Sequence, residues 1–130
     1  YADGSGKAPL TFQMHNCYAT DYAMNDSTTN SGGWKYSDMR ITHLPAILAR
    51  MPAEVRNGIR NVNKKTAQSG TSSVIDVVSD KLFLLSEIEI LGSNNHSATG
   101  EGTQYDYYKT GGNKVKDRNG YPSNTRSPVS

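Results

Sequence analysis

Asp80-Lys81-Leu82-Phe83-Leu84-Leu85-Ser86-Glu87-Ile88-Glu89 is the stretch on which the fold turns. Its continuous apolar run over Lys81 to Leu85 has the length of a strand and predicts one buried on both faces. Ser86 follows as an N-cap, and Glu89 stands three residues on, at capping-box spacing for a short helical turn from Glu87 to Leu91. Just upstream, Ser72 to Val78 carries Val74, Ile75, Val77 and Val78, whose β-branched side chains favour a strand. Ile59 to Thr66 alternates imperfectly and predicts another strand, leading to a turn at Ser69-Gly70.

Outward from this centre the pattern becomes helical. Ser37 is a good N-cap, although Arg40 takes the place of the Glu that would complete a capping box. Met39, Ile41, Leu44, Ile47, Leu48 and Met51 follow a helical period that Pro45 must kink or restart. Pro52 suits the first position of a short helix to Asn57, with Gly58 just past its end. Leu10 to Met14 alternates apolar and polar and predicts a half-buried strand, and Thr103 to Lys109 a short helix. Asp21 to Gly33 and Gly92 to Gly102 read as loops, and no periodicity runs from Gly111 onward. Residues 1–9 read as a flexible lead and residues 10–130 as a single domain. The expected class is α+β: a small mixed or antiparallel sheet, two to three short helices and long ordered loops.

Composition narrows the function. The chain has 130 residues, 14 Lys+Arg against 12 Asp+Glu, and a net charge of +2, too balanced for an electrostatic nucleic-acid binder. No apolar run approaches the length that spans a bilayer, so membrane insertion is not expected. The single cysteine, Cys17, excludes an internal disulfide framework and a multi-cysteine zinc site. Of 26 Ile, Leu, Val, Met and Phe residues, 20 lie between Met39 and Leu91, so the two ends have little to bury. The chain begins at Tyr1 rather than Met, which reads as a processed or excised piece.

No motif dictates a reaction or a cofactor. His15, His43 and His96 lack paired zinc spacing, and His15 with Cys17 is only a two-ligand fragment, so no metal is expected. No nucleophile elbow, phosphate loop or calcium loop is present. Glu87 and Glu89 are the carboxylates on which a hydrolase reading would rest, although acids at such a place more often cap a helix or accept backbone amides. The aromatic residues Trp34, Tyr36, Tyr105, Tyr107, Tyr108 and Tyr121 sit in segments rich in Gly, Ser and Asn. That is the composition of adaptable binding surfaces, and equally of rings that complete a thin core; both readings stay open.

Three stretches together resemble the DUF6273 family. They are Thr11-Phe12-Gln13-Met14 through Gly32-Gly33-Trp34 and Ser37-Asp38-Met39-Arg40; the run from Asp80 to Glu89; and Gly100-Glu101-Gly102-Thr103-Gln104-Tyr105, ending in Arg126-Ser127-Pro128. The middle stretch is the most specific. The resemblance implies a C-type-lectin-like fold, similar to that of formylglycine-generating enzymes, in secreted or surface proteins of bacteria or in phage structural proteins. It implies no such enzyme activity here, because the cysteines that chemistry uses are not matched. The family's Trp-Trp pair is replaced by Tyr121-Pro122-Ser123-Asn124-Thr125, and the family continues past Arg-Ser-Pro with further strands that this sequence does not include, so the resemblance implies a domain incomplete at its C-terminal side.

These readings lead to a non-enzymatic binding or display module, extracellular, on a cell surface or on a virion. Its expected partner is a protein or glycan ligand on a cell surface, contacted through Trp34, Tyr36, Tyr105, Tyr107 and Tyr108. A homo-oligomer or larger assembly is expected, since unpaired strand edges invite pairing. The alternative is a purely structural subunit of a phage tail, capsid or surface filament, completed by strands from neighbouring chains.

Overall fold

The structure is a computed structural model and describes residues 4–7, 10–14, 18–69, 72–92, 95 and 98–109. The expectations attached to His15, Cys17, His96, Tyr121 and the segment from Gly111 onward lie outside these residues. A 3₁₀ turn, Trp34–Tyr36, and a π-helical turn, Met39–His43, lead into α1 (Leu44–Arg50) and α2 (Ala53–Gly58). The hairpin β1 (Val62–Ala67) and β2 (Ile75–Asp80) follows, and then α3 (Glu87–Leu91) and α4 (Asp106–Lys109). The class is α+β with a small antiparallel sheet, two-stranded among the described residues.

Pro45 neither breaks nor restarts the helix. Helical backbone runs on from the π-helical turn into α1, with His43 and Leu44 both right-handed, and the turn before Pro45 widens so that Leu44 N–H reaches Met39 O. Ser37 caps that turn. Its hydroxyl accepts the Arg40 N–H at 3.2 Å and donates to Trp34 O at 2.9 Å. Gly58 is the last residue of α2 rather than the residue beyond it, and Pro52 is the N-cap.

Two predicted strands are not strands. Lys81–Leu85 is irregular, with Leu82, Phe83 and Leu85 half-buried and Leu84 exposed. An irregular segment that half-buries Leu82, Phe83 and Leu85 produces the same apolar pattern as a buried strand. Leu10–Met14 also pairs with no strand among the described residues, and its alternation is inverted. Leu10 and Phe12 are 83% and 89% exposed, while Thr11 and Gln13 hydrogen-bond to the hydroxyls of Tyr105 and Tyr108.

The hairpin organises the rest. Its register sets Val62 opposite Asp80, Lys64 opposite Val78 and Thr66 opposite Asp76. Lys64 and Thr66 point inward, so β1 presents polar side chains to the core, and β2 presents Val78 and Asp80. Trp34, Met39 and Val78 form the apolar cluster, with Tyr22, Leu44 and Phe83 packed against it. Asp80 is buried and fully engaged: one oxygen accepts the Trp34 indole N–H and the other the Arg40 Nε–H, each at 2.7 Å.

The deepest charged contact is Lys64 with Glu89, Nζ to Oε2 at 3.0 Å, with the two side chains 3% and 1% exposed. Ser86 and Glu89 stand at the predicted capping-box positions, and the Glu89 half of the box is made: Ser86 N–H donates to Glu89 Oε2 at 2.7 Å. The Ser86 hydroxyl and Glu89 Oε1 are buried without a hydrogen-bond partner among the described residues. Lys64 Nζ also lies 5.0 Å from the centre of the Phe83 ring. Burial pushes the Glu89 carboxyl up to about 7. It pulls the Lys64 amine down to about 8, against the opposing pull of the Glu101 and Asp80 charges.

Two predictions follow from this packing. A Cβ at Gly33, where φ is +57°, would stand 2.3 Å from Ala67 O, whereas one at Gly58 meets nothing within 4 Å. Gly33→Ala is therefore expected to cost about 2 kcal/mol or more, and Gly58→Ala to gain up to about 1 kcal/mol, in urea denaturation. Lys64→Met leaves Glu89 buried without its cation and is expected to cost about 3–5 kcal/mol at neutral pH. The folded wild type already holds the Glu89 proton more tightly than the unfolded chain, so the carboxyl's contribution is fully present below about 4.5 and lost as the pH rises through about 7. Removing the lysine raises the carboxyl further, so the gap in urea midpoint between wild type and Lys64→Met should widen as the pH rises above about 7.

Candidate functional site

A cleft of about 370 Å³ opens where the 3₁₀ turn meets the hairpin near its Gln68–Ser72 connection. Its position follows from Gly32 and Gly33. Both have positive φ, and Gly33 lets the backbone of the turn close onto Ala67 and Gln68 at the end of β1. The close approach sets Lys35 and Tyr36 beside the hairpin and leaves a depression floored by Gln68, Ser69, Ser72 and Asp76.

The cleft is polar with one aromatic wall. Tyr36 is 62% exposed, and Lys35 Nζ lies 5.2 Å from the centre of its ring. Lys35 faces Asp76 across the cleft at 3.8 Å, and Gln68 Nε2–H donates to Asp76 Oδ1 at 3.4 Å. Both contacts are long enough to yield to a ligand. The arrangement offers a ring face, a cation, a carboxylate, an amide and two serine hydroxyls within one small concavity. That set suits non-covalent recognition of a polar ligand.

The five aromatic residues singled out from the sequence divide between core and surface. Trp34 is buried and bonded to Asp80, and Tyr108 is buried with its hydroxyl on Gln13. Tyr36 is the ring that reaches the cleft. Tyr105 is half-buried, its hydroxyl 3.3 Å from Thr11 Oγ1. Tyr107 is half-exposed and packs edge-on against Tyr108 at 5.1 Å. Burial raises the Tyr105 and Tyr108 phenols above their ordinary value, so both stay protonated, and Tyr108 donates to Gln13 Oε1. The C-terminal tyrosines thus anchor α4 to α3 and to residues 11–13. Tyr105 N–H also donates to Glu89 O at 2.9 Å, and Gln104 Nε2–H to Ile90 O at 2.8 Å.

Several residues that shape the site carried no motif. Lys35, Gln68 and Asp76 come together only through the hairpin and the Gly32-Gly33 bend. Glu101 accepts Ala67 N–H at 2.7 Å and Ala98 N–H at 3.1 Å, pinning the end of β1 from the side. His43 stacks on Tyr22 at 4.4 Å, Tyr22 lies 6.2 Å from Tyr18, and Arg50 donates to the Tyr18 hydroxyl at 3.1 Å. Their i, i+4 spacing at Tyr18 and Tyr22 is a weak signal, and the third and fourth members are remote in sequence. Glu89 carries the cap and the lysine rather than an open carboxylate, and Glu87 is half-buried. Among the described residues no group of three or more His, Cys, Asp or Glu is placed to hold a metal ion. None of their helices is long and apolar enough to cross a membrane.

No curated protein and no solved structure matches this chain. The family described as "Domain of unknown function (DUF6273)" matches residues 11–130, which takes in the hairpin, the capped turn and every wall of the cleft. The chain belongs to the DUF6273 family.

Proposed function

We propose that this domain is a non-enzymatic binding or display module of a cell surface or virion, with a C-type-lectin-like arrangement of loops on a small sheet. The observation that carries the reading is the cleft beside Tyr36. An aromatic face more than half exposed, next to an ion pair and an amide that are only loosely engaged, is a poor element of stability and a good element of recognition. A glycan or a polar protein segment fits this chemistry: the ring takes the C–H face of a sugar or an apolar side chain, and Lys35, Asp76 and Gln68 take its polar groups.

A second reading is favoured by a different observation. Leu10, Phe12 and Met14 stand exposed along one side of an extended segment whose other side is held by the tyrosine hydroxyls. Such a row suits a structural subunit whose neighbours in an assembly cover it.

The test is binding of the purified domain to a glycan array and to intact bacterial cells, with Tyr36→Ala and Asp76→Asn beside wild type. Each substitution is expected to weaken binding at least about tenfold, the worth of one good contact at a pocket. The melting temperature of Tyr36→Ala should hardly move, because Tyr36 lies at the surface. Unchanged binding in both variants, or assembly of the chain into defined oligomers with no surface ligand, favours the structural subunit instead.

A further inference from the structure

The proposed binding function makes no use of the most deeply buried charged pair in the domain. Lys64 and Glu89 lie in contact at 3.0 Å, nearly closed to solvent, against the Phe83 ring and at the junction of the hairpin with α3. A buried ion pair of this kind recovers its desolvation cost only when every remaining polar atom is satisfied. Here it is not: both hydrogen bonds to Glu89 fall on Oε2, from Ser86 and Lys64, and Oε1 has no partner among the described residues. The carboxyl is therefore oriented by one oxygen and loose at the other, with an amine held beside it.

We propose that Lys64 and Glu89 condense to an intramolecular isopeptide bond, Nζ to Cδ, joining β1 to α3. The unprotonated amine attacks the Cδ of the protonated carboxyl. One amine proton passes to the departing Oε1 hydroxyl, the C–O bond breaks, and one water leaves. No oxidant, reductant or further reactant is consumed. Oε2 remains as the amide oxygen and keeps the Ser86 N–H that caps α3.

Three features of the site favour the condensation. Burial disfavours both charged forms, which shifts the pair toward the neutral amine and neutral acid that react. The fold holds the two groups in contact, which replaces a bimolecular encounter by a high effective concentration. Exclusion of water then opposes hydrolysis of the product. The bond would close a loop of 25 residues, from one side of the hairpin connection to the other, in a chain with one cysteine and a small apolar core. A covalent link across such a loop limits the unfolded chain as a disulfide does.

The experiment is the intact mass of the purified full chain, followed by protease digestion and fragmentation of the peptides. The expected result is a mass lower than the sequence sum by one water, with a branched peptide containing both Lys64 and Glu89. The same chain held unfolded in guanidinium from synthesis onward should keep the full mass, and so should Lys64→Arg. An intact mass equal to the sequence sum in the folded wild type overturns the proposal and leaves a plain ion pair. So does a loss of water that maps elsewhere, for instance to a succinimide at Asp3-Gly4. Both of these readings come from wild type alone and stand even where Lys64→Arg does not fold.

Discussion

Glu89 performs two functions with one oxygen, and the relative placement of hairpin and helix depends on it. Ser86 N–H needs an acceptor at the start of α3, and Lys64, pointing inward from β1, needs an anion. α3 satisfies the Ser86 amide with the Glu89 that it carries, whereas β1 has no anion of its own for Lys64, which is satisfied only when the hairpin lies against α3. Asp80 couples the other end in the same manner, with the Trp34 indole on one oxygen and Arg40 on the other. Glu101 pins the end of β1 through the Ala67 amide. Three carboxylates thus hold the surrounding segments to a two-stranded hairpin whose apolar cluster is small. The largest fully buried side chain in the described structure is a glutamate rather than a leucine or phenylalanine.

This polar interior explains how the domain manages with so few aliphatic residues. Apolar burial is tolerant of direction, whereas a hydrogen bond to a buried carboxylate fixes both distance and angle. A core organised by Asp80, Glu89 and Glu101 therefore specifies one arrangement of loops with little apolar area. It also leaves Lys35, Tyr36 and Gln68 together at the surface, around the cleft beside the hairpin.

The local parts of this fold were legible in the sequence wherever the signal lay within a few residues. The Glu89 cap on Ser86, the helix after Pro52 and the β-branched run of β2 all report interactions between neighbours in the chain. The failures share a cause. Lys81 to Leu85 and Leu10 to Met14 are apolar patterns that a strand would explain, but a strand needs a partner, and among the described residues none pairs with either segment. The aromatic residues stand out in the sequence as a class, but their surroundings depend on tertiary position: Trp34 and Tyr108 turn inward to hydrogen-bond partners, and Tyr36 turns out to the cleft.

The sequence by itself determined that the chain is an α+β domain of balanced charge, centred on residues 39 to 91, and a member of one family. Those properties are carried by composition, by short-range periodicity and by contiguous motifs. Only the tertiary structure decided that Lys64 faces Glu89, that Asp80 and Glu101 are structural carboxylates, and that Lys35, Tyr36, Gln68 and Asp76 share one cleft. Each of those facts joins segments separated by tens of residues, and no local rule records which buried charge will meet which. The meeting is set by the hairpin register and by the close approach that Gly33 permits.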